Sequence, residues 1–503
     1  MSKKIDVRTS QRGGAFRGLI LSLSIGALVT VTACDLQTLL EVEAPDQITE
    51  SALQTPGAAE LLVNSVIAHF ECGYSGFLYD EGGKSDTFDR IAGAGAGGGS
   101  EGYGNSTVST SVSLCSGPGI GYTWGGSIQL ARGMGMRTYA DLEGWTDQEI
   151  AGDREEMLAT TAIYAAAALG LFGEFFCETA LDIGPLMTQD QTLALAEVWV
   201  NKALGHIAST GDFALSHGAT TSIETMAYGL RARIRWARGP SFWADAKTDA
   251  LKVPQGYTAW VTREASPTRS NKVYEVATNI GVSVVMDRFT HWTGPANPVT
   301  GQTWPNPIPF TGYIDLGIMP DGRIIGEDQL PIKTTDNPTA IADPRVVTRI
   351  QKIQGPDPGP VPVKYTSNAD DMPLVSWNDM WLIRAEIDGG QSAIDLVNEL
   401  RTVRGLPLVT YASAGDADQI LDMIIEERRR DLWLEGRFWS TKIQHTDRLW
   451  FPRSFGSSLF QGYPYYGAVT LIMSENEYEL NPNLTLADRG TGCVDSKKPT
   501  VVD

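Results

Sequence analysis

Residues 420–439 read ILDMIIEERRRDLWLEGRFW, and the class of the fold is decided here. Asp416 or Asp418, just upstream, offers an N-cap oxygen to the unpaired amides of a helix start. Ile420, Leu421, Ile424, Ile425 and Leu432 then recur at helical spacing and make one face apolar. Arg428 falls on that same stripe, so it must reach water along its aliphatic stem or find acceptors. The spacing offers Asp431 and Glu435, three and seven residues on, as those acceptors. Gly436 suits a helix C-cap. Read as a pattern alone, this is an amphipathic helix with a charged outer face.

The rest of the chain is long enough to bury a large core. It has 503 residues, of which 42% are hydrophobic and 20% charged, an ordinary globular balance. The formal net charge is −20. Such a surface repels phosphate backbones, which argues against nucleic-acid binding and against an anionic ligand. The N-terminus reads as a targeting segment. Lys3, Lys4, Arg8, Arg12 and Arg17 form a basic region, and Gly18 to Ala33 is apolar and small. Val31-Thr32-Ala33-Cys34 resembles a lipobox, in which the cysteine thiol is acylated and the leader removed. The expected organisation is a leader at 1–33, a lipidated tether at 34–50 and a single domain over 51–503. Two or three acyl chains anchor stably, at about 0.8 kcal/mol per buried methylene.

Four cysteines remain. In an oxidising compartment they can pair, and four cysteines allow three pairings. Cys72 and Cys115 bracket a glycine-rich stretch and form the favoured pair. No C-x-x-C occurs, which leaves zinc and thioredoxin-like chemistry without support.

Along the chain, Thr55-Pro56 opens a helix whose Ala59, Leu62, Val63, Val66, Ile67 and Phe70 share a face. Residues 72 to 126 are rich in glycine and aromatics and read as a long loop. Helices are expected over Glu149–Phe176, Leu193–Ile207 and Ser222–Arg238, paired in the manner of degenerate tetratricopeptide hairpins. From Val253 to about Pro373, β-branched runs such as Ser283-Val284-Val285 and Val346-Val347-Thr348 suggest short strands. Helices return with WNDMWLIRAEI, a Gly389-Gly390 break, and AIDLVNELRTVRGLP.

Catalytic motifs are matched only by letter. Gly93–Gly98 fits G-x-G-x-x-G and Gly98–Gly102 fits G-x-S-x-G, but neither follows a strand or opens a helix. Gly82-Gly83-Lys84-Ser85 ends like a P-loop, with Leu78 at the first glycine position. The five histidines form no H-E-x-x-H. No catalytic residue, metal ligand or cofactor is assigned. The aromatics are different. Core aromatics sit in periodic segments, whereas Tyr79, Trp124, Trp292, Trp304 and Tyr313 stand in glycine-, proline- and threonine-rich stretches. A flat ring there can stack on the apolar face of a sugar, and these five are the candidate ligand contacts.

Five segments together resemble one family. Ile424, Glu427, Arg428, Leu432, Glu435 and Gly436 follow the signature helix I-x-x-E-R-x-x-E-L-x-x-E-G-x-R-x-x-D-L of the SusD/RagB family of outer-membrane nutrient-binding lipoproteins. Asp431 replaces a glutamate, Arg437 comes one residue early, and Thr441-Lys442 replaces the closing pair. LLEVEAPDQIT near the N-terminus is similar to L-x-V-x-N-P-N-x-I-T, with Ala44 and Asp46 for the asparagines. Ala385 and Glu386 match the family's alanine-glutamate helix. Asn398, Arg401, Gly405, Leu406 and Pro407 match L-N-x-x-R-x-R-x-G-L-P, with Val403 at the second arginine position. Glu477 and Asn481-Pro482-Asn483 match the closing I-P-x-x-E-x-x-x-N-P-N, with Met473-Ser474 for the isoleucine-proline pair.

The resemblance implies a mainly α fold: a tetratricopeptide-like scaffold of helical hairpins with long irregular loops and a few short β-hairpins. It implies that the signature helix is structural. It further implies a lipid-anchored protein on the outer face of an outer membrane, binding a glycan or other nutrient and passing it to a SusC-like TonB-dependent transporter. Two other classes stay open at this level: a surface-tethered glycoside hydrolase, and a periplasmic tetratricopeptide adaptor.

Overall fold

In the computed structural model, the deciding stretch forms a helix over Ala417–Asp431. Of the two possible caps, Asp416 serves: its Oδ1 accepts from the amides of Asp418 and Gln419, each at 3.1 Å. The structure describes residues 53–85, 87–90, 124–266, 268–285, 344–353, 359–446 and 469–494, with short strands at 314–318, 324–325, 457–458 and 464–465. All of these belong to the compact unit Ser51–Asp503.

The helices are α1 (Ala59–Lys84), α2 (Trp124–Gly144), α3 (Arg154–Phe175), α4 (Gln189–Thr210), α5 (Ile223–Arg238), α6 (Trp243–Ala250), α7 (Trp377–Asp388), α8 (Gly390–Val403), α9 (Ala417–Asp431), α10 (Phe438–Gln444) and α11 (Glu475–Leu480). From α1 to α9 each packs on the next in chain order, the arrangement of stacked helical hairpins, and α9 also reaches back to α7. Local chemistry sets their starts. Asp153 caps α3 by accepting from the Glu156 amide at 3.1 Å, and Thr188 with Gln191 forms a capping box on α4. Ser222 caps α5 through the Thr225 amide at 3.0 Å. Helix α3 is long and apolar enough to cross a membrane, but its apolar window is wholly buried inside the fold. It is the central core helix.

The described parts of the expected loop at 72–126 are mainly helix and strand. Helix α1 runs on through Cys72 to Lys84. Its glycines act here as points of close approach: a Cβ on Gly73 would lie 2.8 Å from Ile128 of α2. Tyr74, Phe77, Leu78 and Tyr79 are core residues of this helix. The Gly82-Gly83-Lys84-Ser85 run ends it, buried, and forms no phosphate loop.

Two of the strands, Ser283–Val285 and Val347–Gln351, fall on the β-branched runs named from sequence. Ser283–Val285 pairs antiparallel with Phe88–Arg90, and Thr258–Val261 with Met372–Ser376. A four-stranded sheet sets Ile314–Ile318 parallel to Val347–Gln351, flanked by Ile324–Ile325 and Gly359–Pro362.

Candidate functional site

The charged face of α9 does not meet water. Glu426, Glu427, Arg428, Arg429, Arg430 and Asp431 are all buried. Nor do Asp431 and Glu435 serve Arg428. Its guanidinium lies 3.2 Å from Asp379 and 3.1 Å from Glu386, both on α7, and packs over the Trp236 ring at 4.5 Å. Glu427 accepts from Arg401 of α8 at 2.7 Å and from Arg345 at 2.6 Å. Asp431 takes Arg404 at 3.0 Å and Asn378 at 2.7 Å, while Glu435 takes Lys364 at 2.6 Å. The reason lies in the partners: three other segments, α7, the end of α8 and Arg345, bring opposite charges to this helix, and Glu426 pairs with Arg429 and Arg430 within it, so these ions gain counter-ions that offset their desolvation. Burial pushes the Glu386 carboxyl up, but Arg428 and His445 outweigh it and hold the group below the usual range. This is a structural network, with each acid engaged by a base.

A cleft of about 360 Å³ opens elsewhere. One wall is the start of α2, with Gly125, Gly126, Gln129 and Arg132; the floor includes Phe172 and Phe176 at the end of α3. A hairpin of Glu178–Ala180 against Leu186–Thr188 gives the second wall, with Asp182 and Ile183 at its turn. Segment 472–477 gives the third.

The turn is strained and clamped. Asp182 and Ile183 have φ of 52° and 60°, which for side-chain-bearing residues costs roughly 1–3 kcal/mol each. Asn481 and Asn483, the two asparagines of the N-P-N match, donate to the carbonyls of Gly184 (2.9 Å) and Ile183 (2.7 Å). Arg132, itself buried, holds Asp182 by two parallel bonds of 2.8 and 2.7 Å. Those bonds hold the Asp182 carboxyl below its ordinary range. Behind the hairpin, the buried Glu178 carboxylate accepts from the amides of Gly490 (2.6 Å) and Gly492 (2.8 Å) and from the Tyr478 hydroxyl. A Cys177–Cys493 disulfide ties the same two segments. Cys72 is also disulfide-bonded, and its partner lies outside the described residues.

Chemically, the cleft offers mixed donors and acceptors above an apolar floor. Among the described residues, no group of three or more His, Cys, Asp or Glu side chains is placed to hold a metal ion.

No family model matches the chain. SusD-like protein P38 of Formosa agariphila is 34% identical over 89 residues, covering 15% of this chain and 18% of that protein. The match therefore spans less than a fifth of that relative's length. A SusD superfamily structure from Parabacteroides distasonis superposes with a TM-score of 0.54 at 12% identity, covering 87% of this chain and 99% of that one. The fold is SusD-like. A SusD-like carbohydrate binding protein from Bacteroides vulgatus gives 0.52 at 13% identity, covering 89% of this chain and 98% of that one.

Within the SusD-like fold, the five aromatics chosen from sequence separate. Tyr79 is a correction: it is 2% exposed inside α1, and its hydroxyl bonds Ser283 Oγ at 2.7 Å, so it is a core residue. Its glycine-rich surroundings hid the helix. Trp124 is the first residue of α2, directly before the cleft-lining Gly125 and Gly126. Trp292, Trp304, Tyr313 and the lipidation candidate Cys34 lie outside the described residues, as do 91–123 and their two glycine motifs. The cleft's own polar residues, Gln129, Arg132, Asp182 and Ser474, escaped the sequence reading. They sit in three separate segments, and no spacing links those segments.

Proposed function

We propose that this protein is a SusD-type binding lipoprotein that captures a neutral glycan and hands it to a SusC-like TonB-dependent transporter, without breaking bonds in its cargo. The observation that carries this reading is the length of the fold match: the shared architecture takes in nearly the whole of each neighbour, one of them described as carbohydrate binding. The lipobox-like Val31–Cys34 supports anchoring through Cys34 at an outer membrane, with the binding domain facing outward. The net charge of −20 supports a neutral cargo over an anionic one. Trp124, Trp292, Trp304 and Tyr313 are the proposed stacking residues, since flat rings give modest affinity and fast release, which suits delivery.

The test is made in the native membrane. Cys34→Ser should release the protein into the soluble fraction, and the wild type, solubilised in mild detergent, should co-purify with a TonB-dependent barrel. A wild-type protein that carries no lipid and brings down no barrel would overturn the delivery role.

A further inference from the structure

We propose that the cleft between α2, the Glu178–Thr188 hairpin and segment 472–477, with the apolar surface at its mouth, is the docking site of a protein partner that inserts one large apolar side chain flanked by lysine or arginine. The inference goes beyond the glycan reading and does not depend on it.

The decisive residue is Ile183. It sits at φ 60°, the left-handed region that glycine and asparagine enter readily and a β-branched side chain does not. It is also 66% exposed, so burial does not offset the strain. Stability alone would favour asparagine or glycine here. The fold instead holds the isoleucine in place. Asn483 donates to its carbonyl at 2.7 Å, Asn481 donates to the Gly184 carbonyl at 2.9 Å, and Arg132 clamps the neighbouring Asp182. Leu480, next to Asn481, is 80% exposed, the most exposed large apolar side chain among the described residues. Pro482, between the two asparagines, is exposed as well. The asparagine bonds bring this stretch alongside the turn, so these exposed aliphatics stand on adjoining segments. Neighbouring apolar groups left in water mark an interaction surface.

Inside the mouth the polar groups are engaged with one another. Arg132 takes both Asp182 oxygens and donates through Nε to Gln129 at 2.9 Å, and Thr179 bonds Thr192 at 2.7 Å. Leu130, Phe172, Phe176 and Met473 remain to meet an occupant, and about 360 Å³ has room for one large side chain. Charge selects the partner. Glu477 lines the mouth, Glu475 and Glu479 share its helix, and all three are exposed. Among the described residues none of the three has an ion-pair partner. A second copy would set these glutamates against themselves across a two-fold axis. An anionic lipid surface is repelled by them and by the net charge of −20. A basic partner is attracted: its apolar anchor supplies the hold, and the rim charges speed its approach.

The experiment uses capped pentapeptides as probes: Lys-Lys-Phe-Lys-Lys, with Lys-Lys-Gly-Lys-Lys and Glu-Glu-Phe-Glu-Glu as controls. Methyl-labelled protein observed by NMR should shift saturably at Ile183, Ile472 and Met473 with the first and with neither control. The affinity should fall as salt rises. Ile183→Asn should weaken binding about tenfold, the scale of an interface anchor. Its thermal melt should stay level or rise, because the turn is relieved. Glu477→Gln should weaken binding about threefold and flatten the salt dependence. Leu480→benzoylphenylalanine, photolysed in native cells, should give a protein adduct that Ile183→Asn removes and the first peptide competes away. Equal binding of the glycine control reduces the site to surface charge and overturns it. An Ile183→Asn variant that melts lower yet binds as before makes the isoleucine a structural residue and overturns it too. An adduct only between two copies of this chain, or peptide binding with no protein adduct, overturns the partner and leaves the glycan reading untouched.

Discussion

Arg428 on α9 lies 3.1 Å from the Glu386 carboxylate on α7, with both side chains buried. The two residues belong to separate sequence matches, the signature helix and the alanine-glutamate helix, about forty positions apart. Their meeting explains why an arginine occupies an apolar stripe: it bridges two helices through Glu386 and Asp379. A buried pair is costly to assemble, but breaking one side of it costs more, because the partner is left charged and dry. Arg428→Met should therefore lose about 3–5 kcal/mol in a urea melt. A loss below about 1 kcal/mol, the scale of an exposed pair, would show that the network is solvated.

Glu81 gives a pH signature of the opposite sign to the salt bridges. Burial pushes its carboxyl up to about 7, even though it accepts from the Trp439 amide at 2.8 Å. A carboxyl raised in the folded state binds its proton more tightly there than when unfolded. Its contribution is therefore fully present below about 4.5 and is lost as pH rises through 7. Glu81→Gln keeps an acceptor and removes the charge. It should stabilise the protein at pH 8 by up to about 3 kcal/mol and little at pH 4.5. Thermal melts across that range check the slope; equal effects at both ends would contradict it.

Gly436 sits at φ +71°, and a Cβ there would come within 2.8 Å of the Phe77 ring. Both the backbone and the contact oppose a side chain, so Gly436→Ala should cost about 1–3 kcal/mol. A neutral result in denaturant melts would mean that the turn after α9 relaxes freely.

The strap around the cleft should behave as one unit. Cys493→Ser removes the tie to Cys177, and the loss expected is about 2–4 kcal/mol. Amide exchange should speed up across 178–188 and 475–494 before α3 changes. Uniform loss of protection over the whole chain would show that these segments have no separate stability.

The helical order was legible because periodicity and caps are local. Asp416, Ser222 and the strand at Ser283–Val285 stand where spacing and propensity put them. What was not legible depends on partners from afar. The outer face assigned to α9 is interior because Arg345, Arg401 and Arg404 converge on its Glu427 and Asp431. Tyr79 looked like a loop aromatic because glycines that permit close helix contact carry the same letters as glycines that break helices. The cleft is assembled from segments some 350 positions apart, held by a disulfide whose pairing the spacings left open.

The central claim is reversible capture of a glycan without turnover. The most direct measurement mixes the purified protein with a panel of neutral oligosaccharides, follows binding by calorimetry, and then recovers the ligand for chain-length analysis. The account predicts saturable binding to at least one glycan, weakened by Trp292→Ala, with the ligand returned at its original length. Shortened ligand, or no binding across the panel, would contradict it.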